Sequence, residues 1–206
     1  MYRDTFNYKN GPHLLEILGK NELIQEILRR VPQLVLPNWY LAAGCLAQTV
    51  WNYYHGYALS EHIKDYDLIY FDNDTAAEKE KKIKRQGLEL FADLKIKVDI
   101  VNQARVHLWY KERFGYSIKP YCSVEQALNT WPVTATCVGI TSKEDTFKVS
   151  TPHGLDDLFS MIIRANNIWL TDSLPCDKRH NAHELYFQKV SRWKTVWPKL
   201  VVLPWV

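Results

Sequence analysis

The sequence predicts an α/β (α+β) fold in which a small mixed β-sheet is flanked by helices. Two observations carry this. Along the first half, apolar residues alternate between a helical period and short strand-like runs, in the order helix, strand, helix, strand, helix, strand, and the second half adds a hairpin and more helices. The 206 residues, 47% of them hydrophobic, are enough to fill one core and lack the composition of a disordered chain.

Each element has its own signal. Asn21 ahead of ELIQEILRRV marks a capped helix with Leu23, Ile27 and Leu28 on one face and Pro32 as its stop. WYLAAG (39–44) reads as a short strand ending at a glycine, and CLAQTVWNYYHG as a helix closed by Gly56. Leu68-Ile69-Tyr70-Phe71 reads as a buried strand. Asp74 or Thr75 is placed to cap the charged helix AAEKEKKIKRQGLELFADL, whose Lys79–Arg85 portion reads as a solvated face. KIKVDIV (95–101) alternates, with Ile96, Val98 and Ile100 on one side and Lys97, Asp99 and Val101 on the other. Ser123 and Gln126 suggest a capping box. TATCVGIT and TFKVST form a hairpin pattern, and GLDDLFSMIIRAN and NAHELYFQKVSRWKTVW read as closing helices.

Composition narrows the function. A net charge of +3 suits a phosphate-bearing partner without indicating bulk nucleic-acid binding. Cys45, Cys122, Cys137 and Cys176 are scattered without metal-site or redox spacing, as expected of reduced thiols in a cytoplasmic protein. The start of the chain lacks the apolar stretch of a signal peptide, and no apolar run is long enough to span a bilayer. His180 and His183 have no evident third ligand for zinc, and His107 reads as a core or sheet histidine. Whether the eight tryptophans serve a core or a subunit interface is left open.

The informative stretch is EHIKDYDLIYFDND (61–74). Asp65 and Asp67, two apart on a strand, project from the same face. Two such charges repel unless a cation joins them, and the oxygen-seeking cations that also bridge phosphates are Mg²⁺ and Mn²⁺. An isolated pair of this kind also occurs wherever a strand begins in a polar loop. Two neighbours add weight. Asp99 stands on the polar face of a later strand, and would come beside the pair if the strands are neighbours. Gly44 joins a strand to a helix, where free amides and the positive helix end suit a phosphate. Arg105 has the geometry for a phosphate, or for an ion pair with Asp156 or Asp157. The latter two also suit the first turn of a helix.

The ordered blocks LAAGCLAQTVWNYYHG (41–56), DYDLIYFD (65–72), VNQARVHLWY (101–110), WPVTATCVGI (131–140), TPHGLDDLF (151–159) and WKTVWPKLVVLPW (193–205) resemble the polymerase-β-like nucleotidyltransferase superfamily, and within it a bacterial family of nucleotidyltransferases. The resemblance implies one domain over 1–206, with the nucleotidyltransferase core over about 20–110 and a C-terminal portion over about 111–206. It implies that Gly44 and Cys45 form the turn that holds the triphosphate. Cys45 departs from the Ser or Gly of many members, and a thiol is a weak donor, so backbone amides would make the contact. It implies that Asp65 and Asp67 bind metal, that Asp99 is the third carboxylate, and that two Mg²⁺ or Mn²⁺ ions assist transfer of a nucleoside monophosphate from an NTP to a hydroxyl. The acceptor is open among RNA ends, proteins and small molecules. An antibiotic-type nucleotidyltransferase and a silent nucleotide- or RNA-binding module are the alternatives.

Overall fold

The computed structural model describes residues 10–143, 146–170, 177 and 179–205. Cys176 and the side chain of His180 lie outside the described residues.

A five-stranded mixed sheet of order β3-β2-β1-β4-β5 forms the centre. Its strands are β1 (Tyr40–Ala42), β2 (Tyr66–Tyr70), β3 (Val98–Asn102), β4 (Gly139–Lys143) and β5 (Thr146–Ser150). Only β2 and β3 are parallel; β1 runs antiparallel to both β2 and β4, and β4 to β5. The parallel pair needs a crossover, supplied by α4 (Ala77–Leu90). α4 lies so close to β3 that a Cβ on Gly87 would fall 2.2 Å from Ile100 Cδ1. β4 and β5, from the C-terminal portion of the chain, complete the sheet.

The sheet has two unlike faces. Leu41, Tyr66, Leu68, Tyr70 and Ile100 enter the large core with α1 (Gly11–Gly19), α2 (Glu22–Arg30), α3 (Gly44–His55) and the C-terminal helix α8 (Arg179–Val196). The other face carries a small apolar cluster of Tyr40, Ala42 and Ile69 under Val124 and Leu128. The latter two belong to α6 (Val124–Asn129), whose short length leaves β2 and β3 less covered there.

Several caps follow the sequence signals. Asn21 Oδ1 accepts from the amides of Leu23 and Ile24 at 3.2 and 3.3 Å, and Gly56 ends α3 in the left-handed region. Ser123 Oγ accepts from Gln126 N–H at 3.1 Å, while Gln126 Oε1 reaches one residue further back to the Cys122 amide. Other expectations are corrected. In α2 the buried face also includes Ile24, beside Ile27 and Leu28, with Leu23 packed at its margin. Asp74 stops short of capping α4: it accepts from Ala76 N–H at 3.1 Å in a tight turn, and Ala76 occupies the cap. β3 starts only at Val98, because Lys95 takes a left-handed conformation. Thr134–Thr136 is a 3₁₀ turn that delays β4 to Gly139. The helix expected over 154–166 is a single turn, α7 (Asp156–Phe159). Left-handed Met161 redirects the chain into β6 (Ile162–Ile163), which pairs in parallel with β7 (Val201–Val202). Backbone pairing with the chain's end wins over helix propensity there. His107 is on a helix, α5 (Val106–Phe114), not in the sheet.

One buried amide ties distant parts together. Asn52 on α3 is fully buried, donates to the carbonyls of Leu59 and Glu61 at 3.1 and 2.7 Å, and accepts from Trp197 Nε1 at 2.7 Å. It fixes the loop that leads into β2 and the segment after α8. Asn52→Ala removes all three bonds and leaves the buried Trp197 Nε1 without its acceptor, while the Leu59 carbonyl keeps its bond from Asn21 Nδ2 at 3.1 Å; it is expected to lower stability by about 2–3 kcal/mol in denaturant unfolding.

Candidate active site

Strand register brings two of the three aspartates together, and Asp65 lies just ahead of them in the chain. Asp67 on β2 lies directly across from Asp99 on β3 and from Ala42 on β1. Adjacent strands are about 4.8 Å apart, so the rung Ala42–Asp67–Asp99 spans about 10 Å. Alternation turns Asp67 away from Tyr66 and Leu68, onto the less covered face. Asp65 precedes β2 and, two residues from Asp67, shares its side.

Ala42 leads straight into α3. The strained residue of this junction is Ala43, at φ 65° and ψ −133°, not Gly44. Ala43 N–H is held by the Val138 carbonyl at 2.9 Å. The first bond of α3 runs from Ala47 N–H to Ala43 O at 3.3 Å, so the amides of Gly44, Cys45 and Leu46 begin the helix without such a partner. This positive helix end stands beside Asp67. The Cys45 thiol is fully buried and donates back to the Ala42 carbonyl at 3.2 Å, so only its amide is available to a ligand.

Burial raises the Asp67 carboxyl to about 6, and the charges of Asp65 and Asp99 add to the effect; Lys189 and Lys97 oppose it. Lys97, just before β3, forms an ion pair with Asp99. Both side chains are well exposed, at 63% and 39%, so that pair is weak and readily exchanged. Lys189 belongs to another element, α8, and acts on Asp67 through its charge alone. Neither lysine was marked by the sequence, where each is one of many.

Arg105 is not part of this group. It follows the far end of β3, donates to the Thr75 carbonyl at 3.0 Å and lies 3.4 Å from Glu80. Neither alternative partner engages it: Asp157 binds Arg164 at 2.9 Å, and both Asp156 and Asp157 sit in the first turn of α7.

Asp65, Asp67 and Asp99 are hard oxygen donors, and the crowding that raises Asp67 is what a divalent cation would relieve. Among the described residues no three His, Cys, Asp or Glu side chains are already gathered as a metal cage. The donor set fits a cation in chemistry, with Asp99 exchanging Lys97 for it.

Paired carboxylates beside an open helix end, on the accessible side of a short mixed sheet, define a site suited to polyphosphate chemistry. Comparison with known proteins narrows the class. The chain belongs to a nucleotidyltransferase family, whose model matches residues 29–202. It is an enzyme of nucleotidyl transfer. A similar solved structure, determined by NMR and described as revealing a CCA-adding enzyme head domain, superposes with a TM-score of 0.76 at 25% identity, over 97% of this chain and 98% of that one. No curated protein matches the chain. Among the described residues no helix is long and apolar enough to cross a membrane.

Two expectations follow from the geometry. A folded carboxyl raised to about 6 from an ordinary value near 4 favours the protonated form, so its ionisation opposes folding. That burden is absent below about pH 4, grows as pH rises to about 6, and is complete above it. Asp67→Asn in metal-free buffer is therefore expected to raise stability by about 1–3 kcal/mol at pH 7.5 and by nothing at pH 3.5, as read from denaturant melts at both. Gly44 needs no left-handed backbone, and a Cβ there meets only the end of the Gln48 side chain at 3.0 Å. Gly44→Val is expected to keep its thermal midpoint within a few degrees while losing most NTP affinity, because the side chain blocks approach to the amides. A collapsed midpoint with normal binding in the residual folded protein would make Gly44 a structural turn only.

Proposed function

We propose that the protein transfers a nucleoside monophosphate from an NTP to a hydroxyl acceptor in a reaction that depends on divalent metal, with Asp65, Asp67 and Asp99 as the catalytic carboxylates. The observation that carries this reading is the single rung on which Asp67 stands between Asp99 and the strand that opens into α3. Mg²⁺ or Mn²⁺ held by these aspartates supplies neutralisation of the triphosphate and acidification of the acceptor hydroxyl. The protein's own groups do the rest. Amides of Gly44, Cys45 and Leu46 and the α3 dipole orient the phosphates and favour the charge that builds on departing pyrophosphate. Asp99, on the far side of Asp67 from that helix end, receives the acceptor's proton once it releases Lys97. Among hydroxyl acceptors, the end of an RNA strand draws support from the likeness to a CCA-adding enzyme head domain.

The direct test is incubation with each labelled NTP, Mg²⁺ or Mn²⁺ and a cell extract, followed by identification of the labelled product. Label in RNA is the expected result; label in protein or a small molecule redirects the acceptor assignment. Calorimetry should show NTP binding far more tightly with Mg²⁺ than with EDTA, and equal affinities would remove the metal from the reading.

Variants separate the three roles. Asp65→Asn and Asp67→Asn are expected to weaken NTP binding and abolish transfer. Asp99→Asn is expected to bind NTP normally but turn over about 10²–10⁴-fold more slowly, as for loss of a general base. Wild-type turnover by Asp99→Asn would remove Asp99 from the chemistry.

A further inference from the structure

The catalytic rung has an apolar exit in one direction. Along the rung stand the strand that opens into α3, then Asp67, then Asp99. In nucleotidyl transfer the departing pyrophosphate and the entering hydroxyl lie in line, on opposite sides of the α-phosphorus. The helix end takes the first and the Asp99 side takes the second, so the rung is filled along its length. The nucleoside, the remaining substituent, has to run along the strands instead. Toward their start it meets charge: Asp65 precedes β2, and Lys97 precedes β3 and is paired with Asp99. Toward their end it meets hydrocarbon.

Strand alternation lays out that second direction. Ile69 and Phe71 follow Asp67 on its own face, and Val101 follows Asp99, directly across from Ile69. Phe71 packs on the cluster of Tyr40, Ala42 and Ile69, which fixes the face it occupies. Ile69 is only 3% exposed, in that same cluster with Val124 and Leu128 of α6. α6 also reaches β4, where a Cβ on Gly139 would fall 3.2 Å from Leu128 Cδ1. No residue of β3 joins the cluster, so α6 forms a wall and leaves the β3 side open. Phe71 and Val101 are half-buried, and each still presents part of its side chain. Together they make a ledge that begins about 7 Å from Asp99 and ends about 13 Å along β2 from Asp67. Its far end is pinned. Phe71 N–H donates to the Pro37 carbonyl at 3.3 Å, and Asp72 exchanges two hydrogen bonds with the Asn102 side chain, at 3.1 and 2.9 Å. A ring that settles there needs little reordering of the protein.

We propose that Phe71 and Val101 form the base subsite, and that it prefers purine to pyrimidine nucleotides. This rests on the nucleotidyl-transfer reading and names which nucleotides the site takes. Neither side chain has a hydrogen-bonding atom, so neither can read the edge of a base. What they reward is covered apolar area, which is larger for two fused rings than for one.

The test is calorimetry in Mg²⁺ with ATP, GTP, CTP, UTP and inorganic tripolyphosphate, on wild type, Phe71→Ala and Val101→Thr. Thermal midpoints establish which variants are folded. Wild type is expected to bind ATP and GTP about 3- to 10-fold more tightly than CTP and UTP, and all four more tightly than tripolyphosphate. Phe71→Ala is expected to lose about 10-fold for the purine nucleotides, with tripolyphosphate within about twofold of wild type. Val101→Thr keeps the branched shape of valine and places a hydroxyl under the base. It is expected to lose about threefold in the same pattern, and it carries the test if Phe71→Ala does not fold. Equal binding of purine and pyrimidine nucleotides by wild type overturns the inference alone, as does NTP binding no tighter than that of tripolyphosphate. Unchanged purine affinity in a folded variant, or an equal loss for NTP and tripolyphosphate, does the same. A wild type that binds neither overturns the nucleotidyl-transfer reading and this inference with it.

Discussion

The register between β1, β2 and β3 is the constraint on which the site depends. Backbone hydrogen bonds place Ala42, Asp67 and Asp99 on one rung. A slip of one residue in β2 would send Asp67 into the large core and bring Leu68 out to solvent. The register is well specified for that reason: Tyr66, Leu68 and Tyr70 are all nearly inaccessible on one side, and only one alignment buries them together. The apolar residues of β2 therefore decide where its carboxylate goes. The connection from β1 to α3 uses the same rung, so the helix end and the carboxylates cannot be positioned independently.

This arrangement carries a cost. Asp67 is held partly buried near two other carboxylates, and Ala43 adopts a backbone conformation that suits glycine better. Packing elsewhere holds both in place. The Val138 carbonyl fixes the Ala43 amide, and the edge-on contacts of Trp51 with Trp193 of α8 and with Trp197 just after it anchor the helix whose first turn opens the site. Strain and like-charge crowding at one edge of the sheet are set against a large aromatic core at the other end of α3.

Much of this was legible in the sequence, for identifiable reasons. Asn21 and Ser123 cap because their side chains can reach free amides, and those signals are local. The aspartate pair was legible because strand alternation fixes relative direction. That Asp99 lies opposite Asp67 was only conditional, since the identity of neighbouring strands is a tertiary fact. Where local signals failed, a distant partner had intervened. The pattern after Gly154 reads as a helix, but the segment pairs with the end of the chain at Val201 and Val202. Arg105 suited a phosphate or an ion pair with Asp156 or Asp157, whereas Glu80 and the Thr75 carbonyl reach it from the crossover connection. The strain one residue before Gly44 had no signal, because alanine gives no hint of an unusual backbone.

Gly87 lies on the opposite side of the sheet from the aspartates, and its missing side chain sets how deeply β3 can sit against α4. Ile100 fills that space, and Asp99 is its neighbour on the strand. The height of Asp99 above the accessible face is thus gauged from behind, by a residue that a ligand never meets. A methyl group at position 87 would meet the end of the Ile100 side chain first, and would act as a shim beneath β3 and its carboxylate only if that end could not turn aside.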